Sequence, residues 1–191
     1  MTKYKQGNKD TQLPYTISWI DRIAAAVDKT RIPFVIVYLL VWFIFFIALI
    51  LLRWQDGTFP VGQINKTDVV MSLTGIFFVA LVHYLDNWAM KKLQTFRESI
   101  LVSEEEFDRL AYQLTNLPPR PVLIASLISF GFGAITFILT PSSYGFIHIG
   151  FGSSSSILQF VNFLFSWFTF GALSTAFRYN VPSFASSLAT V

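Results

Sequence analysis

The chain of 191 residues is 53% hydrophobic and only 13% charged, with a formal net charge of +3 at pH 7. Because a soluble domain usually carries about twice that share of charged residues, this composition is typical of a membrane protein. The sequence contains no cysteine, which excludes disulfides, thiolate catalysis and zinc–sulfur sites.

The N-terminal residues are polar and precede a short amphipathic segment. Residues 1–14 carry lysines and no apolar run, so we expect a disordered cytoplasmic arm and no cleavable signal peptide. Within residues 15–30, apolar side chains recur on one side of a helix. This pattern predicts an interfacial amphipathic helix on the inner membrane surface. The alternative is that these residues simply begin the first span.

Four long apolar segments follow, each long enough to cross a lipid bilayer as a helix. At 1.5 Å per residue, about 20 residues cover the roughly 30 Å of the hydrocarbon core. The spans occupy residues 33–52, 69–88, 121–139 and 157–177. We therefore predict an all-α integral membrane protein, a four-transmembrane-helix bundle within residues 31–182.

The basic residues alternate between the segments that connect the spans. From the N-terminal arm to the tail, the five connecting segments hold 6, 2, 5, 0 and 1 lysines and arginines. Because cytoplasmic loops are enriched in these residues, the alternation predicts that both termini and the second loop are cytoplasmic. We expect a multi-pass protein of a prokaryotic plasma membrane.

The second loop, residues 89–119, is predicted to form a cytoplasmic helical hairpin between helices 2 and 3. Its first arm continues the second span with an apolar stripe, and its second arm begins with a capping box at Ser103 and Glu106. Pro118 and Pro119 end the second arm. The apolar side of this hairpin needs cover from its own other arm, a neighbouring subunit or the membrane surface.

The remaining connections carry weaker signals. Asn65-Lys66-Thr67 matches the glycosylation acceptor pattern, but Thr67 is better interpreted as a helix cap. Residues 140–156 are uncharged and rich in apolar side chains, which indicates contact with the outer membrane face or a partner. The serines of residues 153–156 are candidate caps of the fourth span. Pro182 is predicted to end that helix before a cytoplasmic tail, residues 183–191.

The fourth span carries a line of polar side chains at spacings of three, four and three residues. Its members share one helix face and are Gln159, Asn162, Ser166 and Thr169. Because polar groups in hydrocarbon seek one another or water, we expect these side chains to form hydrogen bonds inside the bundle. The alternative is a water-lined path within one bundle or around the axis of an oligomer.

In the second span, His83 and Asp86 lie three residues apart and could share a hydrogen bond. An ionisable residue inside a membrane is a functional candidate, for example in a proton relay or a gating pair. The alternative is a cluster that anchors the helix at the inner interface. No cofactor is predicted, although a pigment or a haem at His83 would present the same pattern.

Small side chains in the third and fourth spans predict close helix packing. They are Ala125, Ser129 and Gly133 in the third span and Gly171 and Thr175 in the fourth. Helices in lipid associate through such residues because their backbones can approach closely. A hinge at Gly131 and Gly133 is the alternative.

We find no complete catalytic, metal-binding or nucleotide-binding motif in the sequence, and we do not expect an enzyme. Two functional classes stay open. The first is a non-catalytic membrane subunit or sensor-like module that acts through helix packing with partners in a membrane-protein complex. The second is a homo-oligomeric ion channel or pore lined by the polar faces of spans 2 and 4. Lipid, other membrane proteins or further copies of the chain are the expected partners, and nucleic acid is not.

Overall fold

A computed structural model describes residues 16–97, 103–139 and 153–189, and all regular structure in these ranges is helical. The helices are α1 (Trp19–Asp28), α2 (Phe34–Gln55), α3 (Lys66–Phe96), α4 (Glu104–Thr115), α5 (Pro119–Leu139) and α6 (Ser154–Ala189). Four segments are long and apolar enough to cross a membrane: Phe34–Gln55, Lys66–Thr95, Glu106–Leu139 and Ser154–Arg178. The prediction of four helices of spanning length is confirmed. The expectations for residues 1–14 and 140–152 lie outside the described residues.

Side-chain caps define several of the helix starts. Ser103 and Glu106 form the predicted capping box at α4, and Ser153 accepts a hydrogen bond from the Ser156 amide at α6. The start of α3 differs from the prediction. Asn65, rather than Thr67, is its N-cap and accepts a hydrogen bond from the Thr67 amide at 2.9 Å. Thr67 therefore lies inside the first turn, because an asparagine two residues earlier already satisfies its N–H.

The end of α6 also differs from the prediction. Pro182 was expected to end this helix, but α6 continues to Ala189. That prediction is wrong, because a proline removes one backbone donor and bends a helix without preventing hydrogen bonds on either side of it. The predicted tail is therefore helical over residues 183–189.

Helix α6 is the central element of the packing. It contacts α2, α3 and α5, while α2 also packs on α3, and the extensive contact of α5 is with α6. The chain thus forms a group of three helices, α2, α3 and α6, with α5 attached to α6. We call the end of this assembly where α2 ends and α3 and α6 begin the Arg53 end, and the opposite end the His83 end.

Helix α1 packs on the bundle at the His83 end. Its buried Ile20 and Val27 join a core with Val82 of α3 and Ala172 of α6. By contrast, Ile23 on the same helix is 37% exposed. The predicted amphipathic helix is therefore present, and protein covers part of its apolar side.

Helix α4 packs against the extension of α3. Leu93 of α3 and Phe107, Ala111 and Leu114 of α4 form a separate buried cluster. Arg97 adds an exposed ion pair to Glu104, with 2.8 Å between nitrogen and oxygen. Of the three covers considered for this hairpin, the described residues show the first, in which each arm covers the other.

Candidate functional site

Two amide side chains of the predicted polar line on α6 bridge to α3. Gln159 donates from Nε2 to Asp68 Oδ1 at 2.7 Å, and Asn162 donates from Nδ2 to the Met71 carbonyl oxygen at 2.8 Å. Both side chains are nearly buried, with 7% and 9% exposure. The two residues thus fasten α6 to α3 near the Arg53 end, as polar groups in an apolar setting do when they find each other.

Asp68 also receives an ion pair from α2. Arg53 Nε lies 3.0 Å from Asp68 Oδ2, and both side chains are less than one-tenth exposed. The guanidinium of Arg53 also lies over the Phe59 ring, 5.4 Å from its centroid. A single carboxylate therefore joins α2, α3 and α6. This pair was not predicted, although opposite charges at the end of one span and the start of the next indicate that both lie at the same depth.

Asp56 holds the start of α6 from the loop after α2. Its Oδ2 accepts a hydrogen bond of 2.8 Å from the Ser155 amide. This bond, together with further hydrogen bonds from Ser155 and Ser153, lowers the pKa of Asp56 below its ordinary value. A carboxylate at this position also complements the positive end of the helix dipole.

The other two residues of the polar line bond within their own helix. Ser166 donates to the Asn162 carbonyl oxygen at 2.9 Å, and Thr169 donates to the carbonyl oxygens of Phe165 and Ser166 at 3.0 Å. Thr169 is fully buried. The four predicted residues therefore divide into two that bridge helices and two that return to the α6 backbone.

A cleft of about 280 Å³ lies along α3 and α6. Three of the predicted polar residues, Gln159, Asn162 and Ser166, are among those that line it, and Thr169 is not. The remaining lining residues are apolar or hydroxyl-bearing: Leu49, Met71, Ser72, Thr74, Phe78, Phe163, Trp167 and Phe170. Its volume is close to the lower bound for small-molecule sites in proteins.

His83 lies at the opposite end, in a cluster with α1 and α2. Its side chain is 3% exposed, with Nδ1 at 3.2 Å from the Tyr38 hydroxyl and Nε2 at 3.3 Å from Asp28 Oδ1. The Phe34 ring packs on the imidazole at 4.7 Å between centroids. The two ring nitrogens therefore face a hydroxyl on α2 and a carboxylate at the end of α1, and Nε2 makes no hydrogen bond within the described residues.

Asp86 is not the partner of His83. None of the described contacts joins the two side chains, and Asp86 Oδ1 is buried without a hydrogen-bond partner. The carboxylate that meets His83 is Asp28, at the end of α1. Spacing within one helix predicted the Asp86 pair, whereas the Asp28 contact depends on how α1 folds back, which local periodicity does not encode.

Asp21 links α1 to the start of α5. Its Oδ2 completes a capping box with Ser18 and accepts a hydrogen bond of 3.0 Å from the Leu117 amide. Burial raises the pKa of this carboxyl above its ordinary value, although the hydrogen bonds from Ser18 and Leu117 oppose the shift. Asp21 was not among the residues predicted to be functional. A Ser-x-x-Asp spacing before an apolar helix is the signal that could have found its cap.

Three of the small residues proposed for helix packing, Ala125, Gly133 and Gly171, lie where α5 meets α6. A side chain at Gly171 would meet the backbone of Ala125 and Ser126, and one at Gly133 would meet Trp167. Thr175 is buried and donates to the Gly171 carbonyl oxygen at 3.0 Å, and Ser129 is partly buried. Gly131 faces open space, and α5 is continuous through both of its glycines.

The chain was compared with known proteins by family, by sequence and by structure. No family, no curated protein and no solved structure matches it. Among the described residues there is also no group of three or more histidine, aspartate or glutamate side chains that could hold a metal ion.

Proposed function

We propose that the chain is a non-catalytic integral membrane module whose four long helices span a lipid bilayer. Large apolar side chains on these helices support this placement. Ile44 on α2 is 68% exposed and Ile138 on α5 is 73% exposed, and at most one-third of each apolar window is buried within the chain. Water would oppose such exposure at about 25 cal/mol per Å² of apolar surface, and lipid would not.

The proposed orientation has both termini and the hairpin of residues 89–119 in the cytoplasm. Its support is the alternation of lysine and arginine between the connecting segments. Because the chain has no cysteine, a single introduced cysteine reports on orientation without background labelling of native thiols. A membrane-impermeant thiol reagent should label Val61→Cys in intact cells and Arg109→Cys only after permeabilisation. The reverse pattern would contradict the orientation.

One observation carries the proposal that the module acts through packing with partners. The amides of Gln159 and Asn162, which were the best candidates for a pore lining, are bonded to α3 within one chain. Each of these bonds uses one N–H of the amide and holds the side chain against α3. The exposed apolar faces of α2 and α5 are then the surfaces on which partners would pack in the membrane, where association depends on close packing.

The test is purification in detergent, followed by mass determination with and without proteins that co-purify from native membranes. A chain that stays folded only together with other polypeptides supports the subunit role. A chain that is a stable monomer and recovers no reproducible partner after cross-linking in native membranes would contradict it.

A homo-oligomeric channel is the second candidate, and the cleft favours it. Asn162 and Ser166 line a cleft on the α3–α6 surface, and several copies could join such surfaces around an axis. A closed ring of three or more copies, with ion flux in liposomes that changes in Asn162→Leu, would support a channel. Val161→Leu is the matched control, because Val161 is 55% exposed on the same helix. Equal flux from both variants would exclude Asn162 from the path.

A further inference from the structure

The cleft along α3 and α6 has an apolar body and a polar end. From Gln159 to Phe170, its lining on α6 extends for about 16 Å along the helix axis. The polar end holds the two amides near the Arg53 end. Towards the His83 end, the lining becomes aromatic with Phe78, Trp167 and Phe170. This change from a polar to an aromatic lining matches a molecule with a polar head and an apolar body, that is, an amphiphile.

The aromatic wall is formed by contacts between its own rings. Phe78 and Phe170 lie 5.7 Å apart between centroids, and Trp167 lies 6.0 Å from Phe170. From behind, Trp167 packs on Phe132 of α5 at 5.2 Å and against Gly133. Since α5 supports the wall, an entering molecule would meet a preformed surface and would not need to order these side chains.

The polar end offers hydrogen-bond acceptors. Asn162 and Gln159 both donate through their amide nitrogens, and their partners, a carbonyl oxygen and a carboxylate, accept only. This fixes which atom of each amide is the nitrogen. Among the described residues, no donor bonds to the Asn162 or Gln159 amide oxygen, and both residues line the cleft. The two acceptors lie one helical turn apart.

All residues that line the cleft are uncharged, and the nearby charges of Arg53 and Asp68 neutralise each other. An ionic headgroup would therefore find no counter-charge there, and its desolvation would not be compensated. An uncharged hydroxyl, by contrast, matches acceptors to which no described residue donates.

We propose that this cleft binds an uncharged, hydroxyl-bearing amphiphile, with its hydroxyl donating to the amide oxygens of Asn162 or Gln159 and its apolar body lying along the aromatic wall. A single slender chain suits the volume, which is too small for a helix of a partner protein. The inference rests on the proposed placement in a bilayer, because the cleft would fill from lipid.

The experiment uses the full chain in lipid nanodiscs with two photoactivatable probes. One is a long-chain primary alcohol that carries a diazirine, and the other is its methyl ether, which has the same apolar body and no donor. Labelled positions are mapped by mass spectrometry. We expect saturable labelling of α6 near Trp167 by the alcohol, competed by unlabelled alcohol, and weaker labelling by the ether. The loss of one hydrogen bond predicts a difference of roughly threefold to tenfold.

Three variants keep the test decisive. Thr74→Phe fills the cleft from α3, where the threonine is only partly buried and bonds only to its own helix, and it should abolish saturable labelling. Ile44→Phe places the same aromatic side chain on the exposed face of α2 and should leave labelling unchanged. Asn162→Leu should reduce the difference between the two probes, because only the Gln159 amide oxygen would remain as an acceptor.

Three results would overturn the proposal: non-saturable labelling spread equally over the exposed faces of α2 and α5, equal labelling by alcohol and ether in the wild type, or normal labelling of Thr74→Phe. Each of these leaves the proposed membrane placement intact. A chain that fails to enter nanodiscs would overturn both.

Discussion

The contact of α6 with α5 at Gly171 allows a stringent test of the packing. An alanine Cβ at this position would lie 2.6 Å from both the Ala125 carbonyl carbon and the Ser126 Cα, where ordinary contact begins at 3.4 Å. The obstacle is backbone, so no flexible side chain can move aside, and the two helices must separate by several tenths of an ångström. Overpacking of this kind costs about 1–3 kcal/mol, and we expect the upper part of that range.

Gly131 is the matched control, because an alanine there would meet nothing within 4 Å. Both substitutions gain up to about 1 kcal/mol from the higher helix propensity of alanine. We therefore expect the free energy of unfolding of Gly171→Ala to fall about 2–3 kcal/mol below that of Gly131→Ala. Steric trapping or titration with a denaturing detergent would measure this difference. Equal stability of the two variants would show that α5 and α6 are not in backbone contact at Gly171.

Three further predictions concern charged groups at the two ends. Removing one partner of the buried Arg53–Asp68 pair should cost about 3–5 kcal/mol of unfolding free energy, and a double-mutant cycle of Arg53→Met with Asp68→Leu should show strong coupling; additive effects would contradict the pair. Asp56 has a lowered pKa because Ser155 bonds to it, so its contribution to the free energy of unfolding is present above the unfolded pKa of 3.8 and is lost as pH falls through the lower folded pKa. The free energy of unfolding should therefore fall less steeply in acid for Asp56→Asn than for the wild type. Burial raises the pKa of Asp21, so its contribution to the free energy of unfolding is present below the unfolded pKa of 3.8 and is lost as pH rises through the folded pKa. Asp21→Asn should remove this decline in stability with rising pH. An unchanged dependence of stability on pH in this variant would show that the protonation of Asp21 is not coupled to folding.

Features that depend on local sequence were predictable. The four helices of spanning length follow from uninterrupted apolar runs, and the cap at Ser103 follows from a Ser-x-x-Glu spacing. The polar line of α6 was predictable as a face, because its spacings repeat the helical period.

Contacts between distant segments were not predictable in the same way. The partners of Gln159 and Asp21 lie 91 and 96 residues away in the chain. Which polar groups meet at these distances depends on the order and depth of the helices. Periodicity within one helix therefore suggested Asp86 as the partner of His83, whereas the fold brings Asp28 from α1.

The unbroken course of α3 has a mechanical consequence. Its 31 residues form one rod about 46 Å long, and α4 is fixed to the far portion of that rod by the cluster around Leu93. A tilt of 10° about the Lys66 end would displace the Phe96 end by about 8 Å. A small change in the inclination of α3 would therefore move the hairpin by several ångströms.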